Sequence, residues 1–198
     1  MMLARIGSLV LLLAAAAMLY GMQRTTPYYS DIISPIRVAG VQGKRVDTEE
    51  FAVAVVKVHL ARRLEATSYG KTRTLTTSGV WVVLEGAAEA RKNSVSLMSV
   101  AWLGPDGASY ALSSRLSSFP GMINNEPIEP GIPRPVLMAF EVPLEALAGA
   151  AVLVGSSTMS PLRQEAEIAM EPLGVRDIGA TIRLDRGSVE MPWTLKAG

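Results

Sequence analysis

From Phe51 onward the apolar residues fall into short runs that alternate with polar ones or are cut by Gly and Pro. In FAVAVVKVHL, Phe51 to Leu60, the residues Val56, Val58 and Leu60 alternate with Lys57 and His59, the period of a half-buried strand. A helix competes, because Asp47-Thr48-Glu49-Glu50 resembles a capped start and 16 residues follow without Gly or Pro. The density of β-branched side chains decides for the strand. Val80–Leu84 is a continuous apolar run, which predicts a central strand buried on both faces. Gly104-Pro105-Asp106-Gly107 predicts a hairpin turn between two strands, since Pro presets φ and Asp-Gly accepts unusual dihedrals.

Further along, Pro130, Pro133 and Pro135 cannot join a central ladder and predict an extended approach to a strand at Val136–Val142, which Pro143 ends. A short helical turn then precedes a strand at Ala151–Val154. Leu162–Met170 alternates Gln164, Ala166 and Ile168 against Arg163, Glu165 and Glu167, one face inward and one wet. Ala180–Leu184 supplies one more strand, and Trp193 between Pro192 and Thr194 suggests a docked tail. Seven to nine strands with Gly/Pro turns predict an all-β chain, an antiparallel β-sandwich over residues 44–184 with a tail at 185–198.

The first segment has another pattern. Ile6 to Met22 is 17 residues without a charge, flanked by Arg5 and Arg24; as a helix it spans roughly 26 Å, close to the lower limit for a bilayer. Residues 1–24 are therefore expected to form one N-terminal transmembrane helix, a signal anchor. The small residues ending at Ala17 also allow a cleaved signal peptide. Either way the remainder is expected across the membrane, in the simplest case in the periplasm on a single pass through a bacterial inner membrane. Residues 25–43, with Pro27, Pro35, Gly40 and Gly43, predict an extended linker. Its Tyr28, Tyr29, Ile32 and Ile33 either pack on the chain's own domain or form a partner-binding strap.

The resulting order of elements, with Val80–Leu84, then Asp106-Gly107 with Tyr110, then Pro130-Gly131 and Phe140-Glu141-Val142-Pro143, resembles bacterial extracytoplasmic immunoglobulin-like domains of the DUF4352 / MPT63-like type. The likeness covers about Gly43 to Met170. It implies a membrane-tethered or secreted binding or accessory module with an immunoglobulin-like sandwich, and carries over no catalytic residue.

Composition narrows the chemistry. Lys+Arg 19 against Asp+Glu 18 gives a net charge of +1 without long runs of one sign, which does not point to nucleic acid. Without cysteine there is no disulfide framework, thiol nucleophile or thiolate metal site, and the one histidine, His59, leaves little for a metal, a cofactor or a Ser-His triad. Ser113, Ser114, Ser156 and Ser157 lack a Gly-x-Ser-x-Gly elbow, and Asp106, Glu126, Glu129 and Glu141 lack EF-hand spacing. The loop Ser114–Pro135 is the richest surface candidate: Phe119, Met122 and Ile123 either form an exposed partner-binding tip or fold back over the core. The expectation is a non-catalytic accessory or scaffold protein that binds partner subunits of a cell-envelope complex, a transporter or secretion machine. The alternative is a secreted or periplasmic small-ligand-binding protein or hydrolase.

Overall fold

The computed structural model describes residues 2–25, 34–68, 70–157 and 162–198. The chain divides into two compact units, residues 1–34 and 35–198. The first holds helix α1, Met2–Thr25, whose side chains are described from Leu11 onward. Leu11, Leu12, Leu13, Met18 and Leu19 are 64–73% exposed. Arg24 Nη2 donates to Tyr20 Oη at 2.9 Å, with the guanidinium over the ring. Among the described residues no helix is long and apolar enough to cross a membrane. Tyr28, Tyr29, Ile32 and Ile33 lie outside the described residues.

The second unit is a β-sandwich with eleven strands among the described residues, more than the seven to nine expected. Its first sheet contains β1 (Ile36–Val41), β5 (Ser99–Leu103), β6 (Ser109–Ala111), β8 (Ala151–Gly155) and β9 (Gln164–Ala169), in the order β1-β9-β8-β5-β6. The second contains β2 (Val46–Asp47), β3 (Phe51–Ser68), β4 (Lys71–Ala90), β7 (Arg134–Val142), β10 (Ile178–Arg186) and β11 (Trp193–Ala197), in the order β11-β10-β3-β4-β7 with β2 beside β3. Pairing is antiparallel except for β1 on β9 and β10 on β3.

Two boundaries differ from the sequence reading. The span 25–43 is not linker throughout, because Ile36–Val41 pairs with Gln164–Ala169. The domain does not end at Leu184, since β10 runs to Arg186 and β11 pairs with it. The expected docking of Trp193 holds: it is buried within the second sheet's outer core.

Strand β3 explains how one sequence serves two cores. Phe51, Val53 and Val55 face the space between the sheets, then a bulge between Val55 and Lys57 places Val56 on the outside, 56% exposed, and shifts parity so that Val58 and Leu60 face inward. The period-two reading thus holds at Val58 and Leu60 but not at Val56. Ala61 lies on the opposite face, and a second irregularity, between Ala61 and Arg63, brings Leu64 and Ala66 to that same face. Central β4 is buried on both faces, as its apolar run predicted: Val80, Val82 and Leu84 join the inter-sheet core, Trp81 and Val83 the outer one. The inter-sheet core is completed by Trp102 and Phe140, ring centroids 6.0 Å apart, and by Val152, Val154, Ala166 and Ile168. β7 is the end strand of its sheet, which accommodates Pro135 opposite Ala87.

Candidate functional site

The loop after β6 closes the outer core instead of projecting from it. Phe119, Met122 and Ile123 are all buried, so the expectation of an exposed apolar tip is corrected. The backbone enforces this: Ile123 N–H donates to Leu137 O at 2.9 Å, Leu137 N–H to Gly121 O at 2.8 Å, and Asn125 Nδ2 to Phe119 O at 2.9 Å. Phe119 and Met122 enter the outer core with Trp193, and Ile123 the inter-sheet core. Burying three large apolar groups outweighs exposing them by about 1.5–3 kcal/mol each.

The same face carries the histidine. His59 Nε2 lies 2.8 Å from Glu85 Oε1, and Trp193 Nε1 donates to Glu85 Oε2 at 2.9 Å. Burial raises the Glu85 pKa, but the hydrogen bonds from Trp193 and His59, helped by the charges of His59 and Lys57, bring it below its ordinary value. His59 and Glu85 thus hold the C-terminal strand in place. The other singled-out polar groups are similarly engaged: Glu141 accepts from Ser113 Oγ at 2.7 Å and Arg115 Nη1 at 3.0 Å, Glu126 pairs with Arg134 at 2.6 Å, and Asp106 Oδ1 accepts from Ala108 N–H at 3.0 Å.

One cleft, of about 350 Å³, is lined by Glu49, Glu50, Lys92, Asn93, Ser94 and Arg163, among others. Glu50 binds Arg163 at 3.0 Å and accepts from Ser156 Oγ at 2.6 Å, while Glu49 N–H donates to Gln164 Oε1 at 2.8 Å. Ser156 therefore faces a carboxylate, and the histidine a triad would require is committed to Glu85. The cleft offers balanced charge to a small polar ligand. Among the described residues no cluster of three or more His, Cys, Asp or Glu could hold a metal ion.

On the first sheet, Glu165 was expected on a wet face and is instead 7% exposed. It packs over Gly155 and Ser99, where the missing side chain of Gly155 leaves room. Burial is the main cause raising its pKa, against the lowering influence of Arg37.

A further surface escaped the sequence reading. The inter-sheet core draws no residue from 61–79, so the far halves of β3 and β4, with β10 and β11, extend past it. Register places Leu75, Leu64 and Ile182 in one transverse row and Arg73, Ala66, Leu184 and Leu195 in the next, on the outer-core side. The alternate rows point the other way. Thr76, Arg63 and Thr181 form the first, Thr74, Glu65, Arg183 and Lys196 the second, and Thr72, Thr67, Asp185 and Thr194 the third. None of these side chains is buried. The signal was the alternation Thr72, Thr74, Thr76, which reads as a strand face only once the pairing is known.

No family model matches this sequence, and no curated protein is similar enough to stand as a relative. Among solved structures, the chain is similar to the yjhA protein from Bacillus subtilis, with 11% identity and a TM-score of 0.51 over 67% of this chain and 99% of that one. It is also similar to an uncharacterized beta-sandwich protein from Clostridium difficile 630, with 12% identity and a TM-score of 0.43 over 74% of this chain and 100% of that one. At such identity the first likeness supports the fold alone.

Proposed function

We propose that this chain is a membrane-tethered, extracytoplasmic accessory protein whose β-sandwich, immunoglobulin-like and of the DUF4352 type, binds a protein partner of the cell envelope without catalysing a reaction. The observation that carries this reading is the contrast between the two units. The sandwich buries most of its large apolar side chains in two cores, whereas the leucines of α1 stand exposed along its described length. A helix apolar on all sides is stable when lipid or protein surrounds it. Ile6–Met22 is a run of 17 residues without a charge, with Arg5 and Arg24 at its flanks, where cations can snorkel, and Tyr20 near its C-terminal end. A tether also raises the effective concentration of the domain near a membrane partner, so modest contacts suffice. Glu50, Glu85 and Glu141 support the non-catalytic part, because each spends its carboxylate holding neighbouring elements together.

The test is fractionation followed by co-purification. The full chain should stay with membranes through alkaline extraction, and its sandwich should be digested by protease added from outside the cytoplasm. Detergent extraction should then recover a partner in fixed proportion. A chain that washes off as a soluble protein, or a sandwich protected inside the cytoplasm, overturns the reading. The mixed-charge cleft at Glu50, Lys92 and Arg163 favours the small-ligand alternative, which stoichiometric recovery of a small molecule without a protein partner would establish.

A further inference from the structure

Strand β1 ends the first sheet and is bonded on one side only, since β2, which follows it, pairs with β3 in the other sheet. Ile36 N–H donates to Arg163 O and Gln42 N–H to Ala169 O, each at 2.9 Å, so Ile36, Val38, Gly40 and Gln42 turn their backbone groups toward β9. The N–H groups of Arg37, Ala39 and Val41 and the carbonyls of Arg37 and Ala39 point the other way and meet no partner among the described residues. Val41 O accepts from Lys44 N–H at 3.1 Å. The other sheet ends are protected. β7 is capped by the loop beside it, with Ser113 N–H donating to Ala139 O at 2.8 Å and Ile123 N–H to Leu137 O at 2.9 Å. β6 has three residues and β2 two, while β11 follows Pro192 and carries Lys196. Short length, Pro and Lys are devices that keep an edge from pairing. β1 has none of them: its register is unbroken, its one charge is matched by Glu167 at 3.1 Å from Arg37, and Ile36 and Val41 are 50% and 52% exposed.

We infer that β1 pairs edge to edge with β1 of a second copy of this chain, antiparallel across a two-fold axis, so that the two first sheets become one. A row of open N–H and C=O groups is completed by another strand. The spacing of the open groups selects the copy. Arg37 and Val41 lie evenly about Ala39, so an axis at Ala39 sets that residue against its own equivalent and Arg37 against Val41 of the second copy. Each facing pair exchanges two N–H···O bonds, two at Ala39 and four at the two Arg37–Val41 pairs. The Val41 carbonyl keeps a second lone pair for its share. The aliphatic stem of Arg37 then covers an exposed Val41. The two Arg37 side chains start about 13 Å apart along the strands, at a rise of about 3.3 Å per residue. That exceeds the screening length of roughly 8–10 Å, so their repulsion is weak. Parallel copies in register would bring Arg37 beside Arg37 at about 4.8 Å. The antiparallel joint uses each edge once and is closed, giving a dimer without further growth. Its assignment does not depend on the tether.

The experiment uses the full chain in non-ionic detergent micelles, with sedimentation as the readout. The wild type should sediment as a dimer. Ala39→Pro removes an N–H that β9 does not use, at the kind of edge position where Pro is accommodated, and takes two bonds from the joint. The dimer dissociation constant should rise by about tenfold or more. Val41→Lys sets a cation against Arg37 of the second copy and should weaken the dimer likewise, while Ala197→Pro on β11 should leave it unchanged. The chain has no cysteine, so Ala39→Cys introduces one thiol per copy. A short bismaleimide should join those two thiols, and should not join the ones introduced by Ala111→Cys on β6 at the far end of the sheet. Should Ala39→Pro melt early, Val41→Lys and the crosslinking decide. Three results would each overturn the assignment: a wild type that stays monomeric at its highest soluble concentration, a dimer that keeps its affinity in both β1 variants, as one held by α1 would, or crosslinking at position 111 as strong as at position 39, as stacked sheet faces would give.

Discussion

Trp193 and Glu85, 108 residues apart in sequence, are joined by a 2.9 Å hydrogen bond from the indole N–H to the carboxylate. The bond fastens the last strand to the central strand of the same sheet across the outer face, and the ring fills the outer core beside Phe119 and Met122. It makes β11 part of the domain instead of a loose end.

Removing the ring should therefore be costly. Trp193→Ala deletes a fully buried aromatic group and leaves Glu85 with only His59, so a loss of about 3–5 kcal/mol is expected. Trp193→Phe keeps most of the packing and should lose much less. Urea unfolding checks both, and equal small effects for the two variants would mean that β11 contributes little to the fold.

Gly121 is the backbone counterpart of that contact. It has φ +84°, and a Cβ there would overlap the Trp193 ring. Gly107 has nearly the same φ, +83°, but faces open space. Gly107→Ala should cost about 1–2 kcal/mol for the left-handed conformation alone. Gly121→Ala should cost a further 1–3 kcal/mol or so for overpacking. A thermal melt series ranks them, and equal shifts would show that the loop yields freely around the indole.

These examples show what the sequence made legible. Val80–Leu84 and Val136–Val142 announced themselves, because a strand buried on both faces must be apolar throughout. β1 did not: Pro35 and Gly40 read as linker chemistry, and the strand exists through a parallel partner more than 120 residues away. Phe119, Met122 and Ile123 were equally ambiguous, since Pro and Gly around an apolar stretch do not say which way it folds. The polar rows required two bulges in β3 to set their register, and no local pattern states a bulge.

Two carboxylates, half-buried Glu85 and buried Glu165, give opposite pH dependence. The folded pKa of Glu85 is lowered, so its contribution to stability is fully present above the unfolded pKa and is lost as pH falls through the depressed folded value. The folded pKa of Glu165 is raised, so ionising it as pH rises through that window weakens the fold. Glu85→Gln should flatten the acid side of the stability profile and lower stability at neutral pH. Glu165→Gln should raise stability at neutral pH relative to wild type, with the gain disappearing in acid. Unfolding midpoints measured across the acid range test this; parallel profiles for the two variants would refute it.

Trp81 and Trp102 offer the sharpest comparison, since both are fully buried and on either side of the same sheet. Trp102 Nε1 donates to Ala146 O at 2.8 Å. Trp81 Nε1 is buried with no hydrogen-bond partner among the described residues, and the ring is instead capped by the Arg115 guanidinium 5.4 Å from its centroid. Replacing either by Phe removes a similar volume, but the polar consequences are opposite. Trp102→Phe strands the Ala146 carbonyl, whereas Trp81→Phe discards a donor already unsatisfied and keeps an aromatic face beneath Arg115. Trp81→Phe should therefore destabilise less, by about 1–2 kcal/mol. Urea midpoints at constant slope provide the measurement. Should Trp81→Phe prove the more damaging of the two, the Trp81 indole must have a hydrogen-bond partner in solution, an enclosed water in the outer core being the group able to supply it.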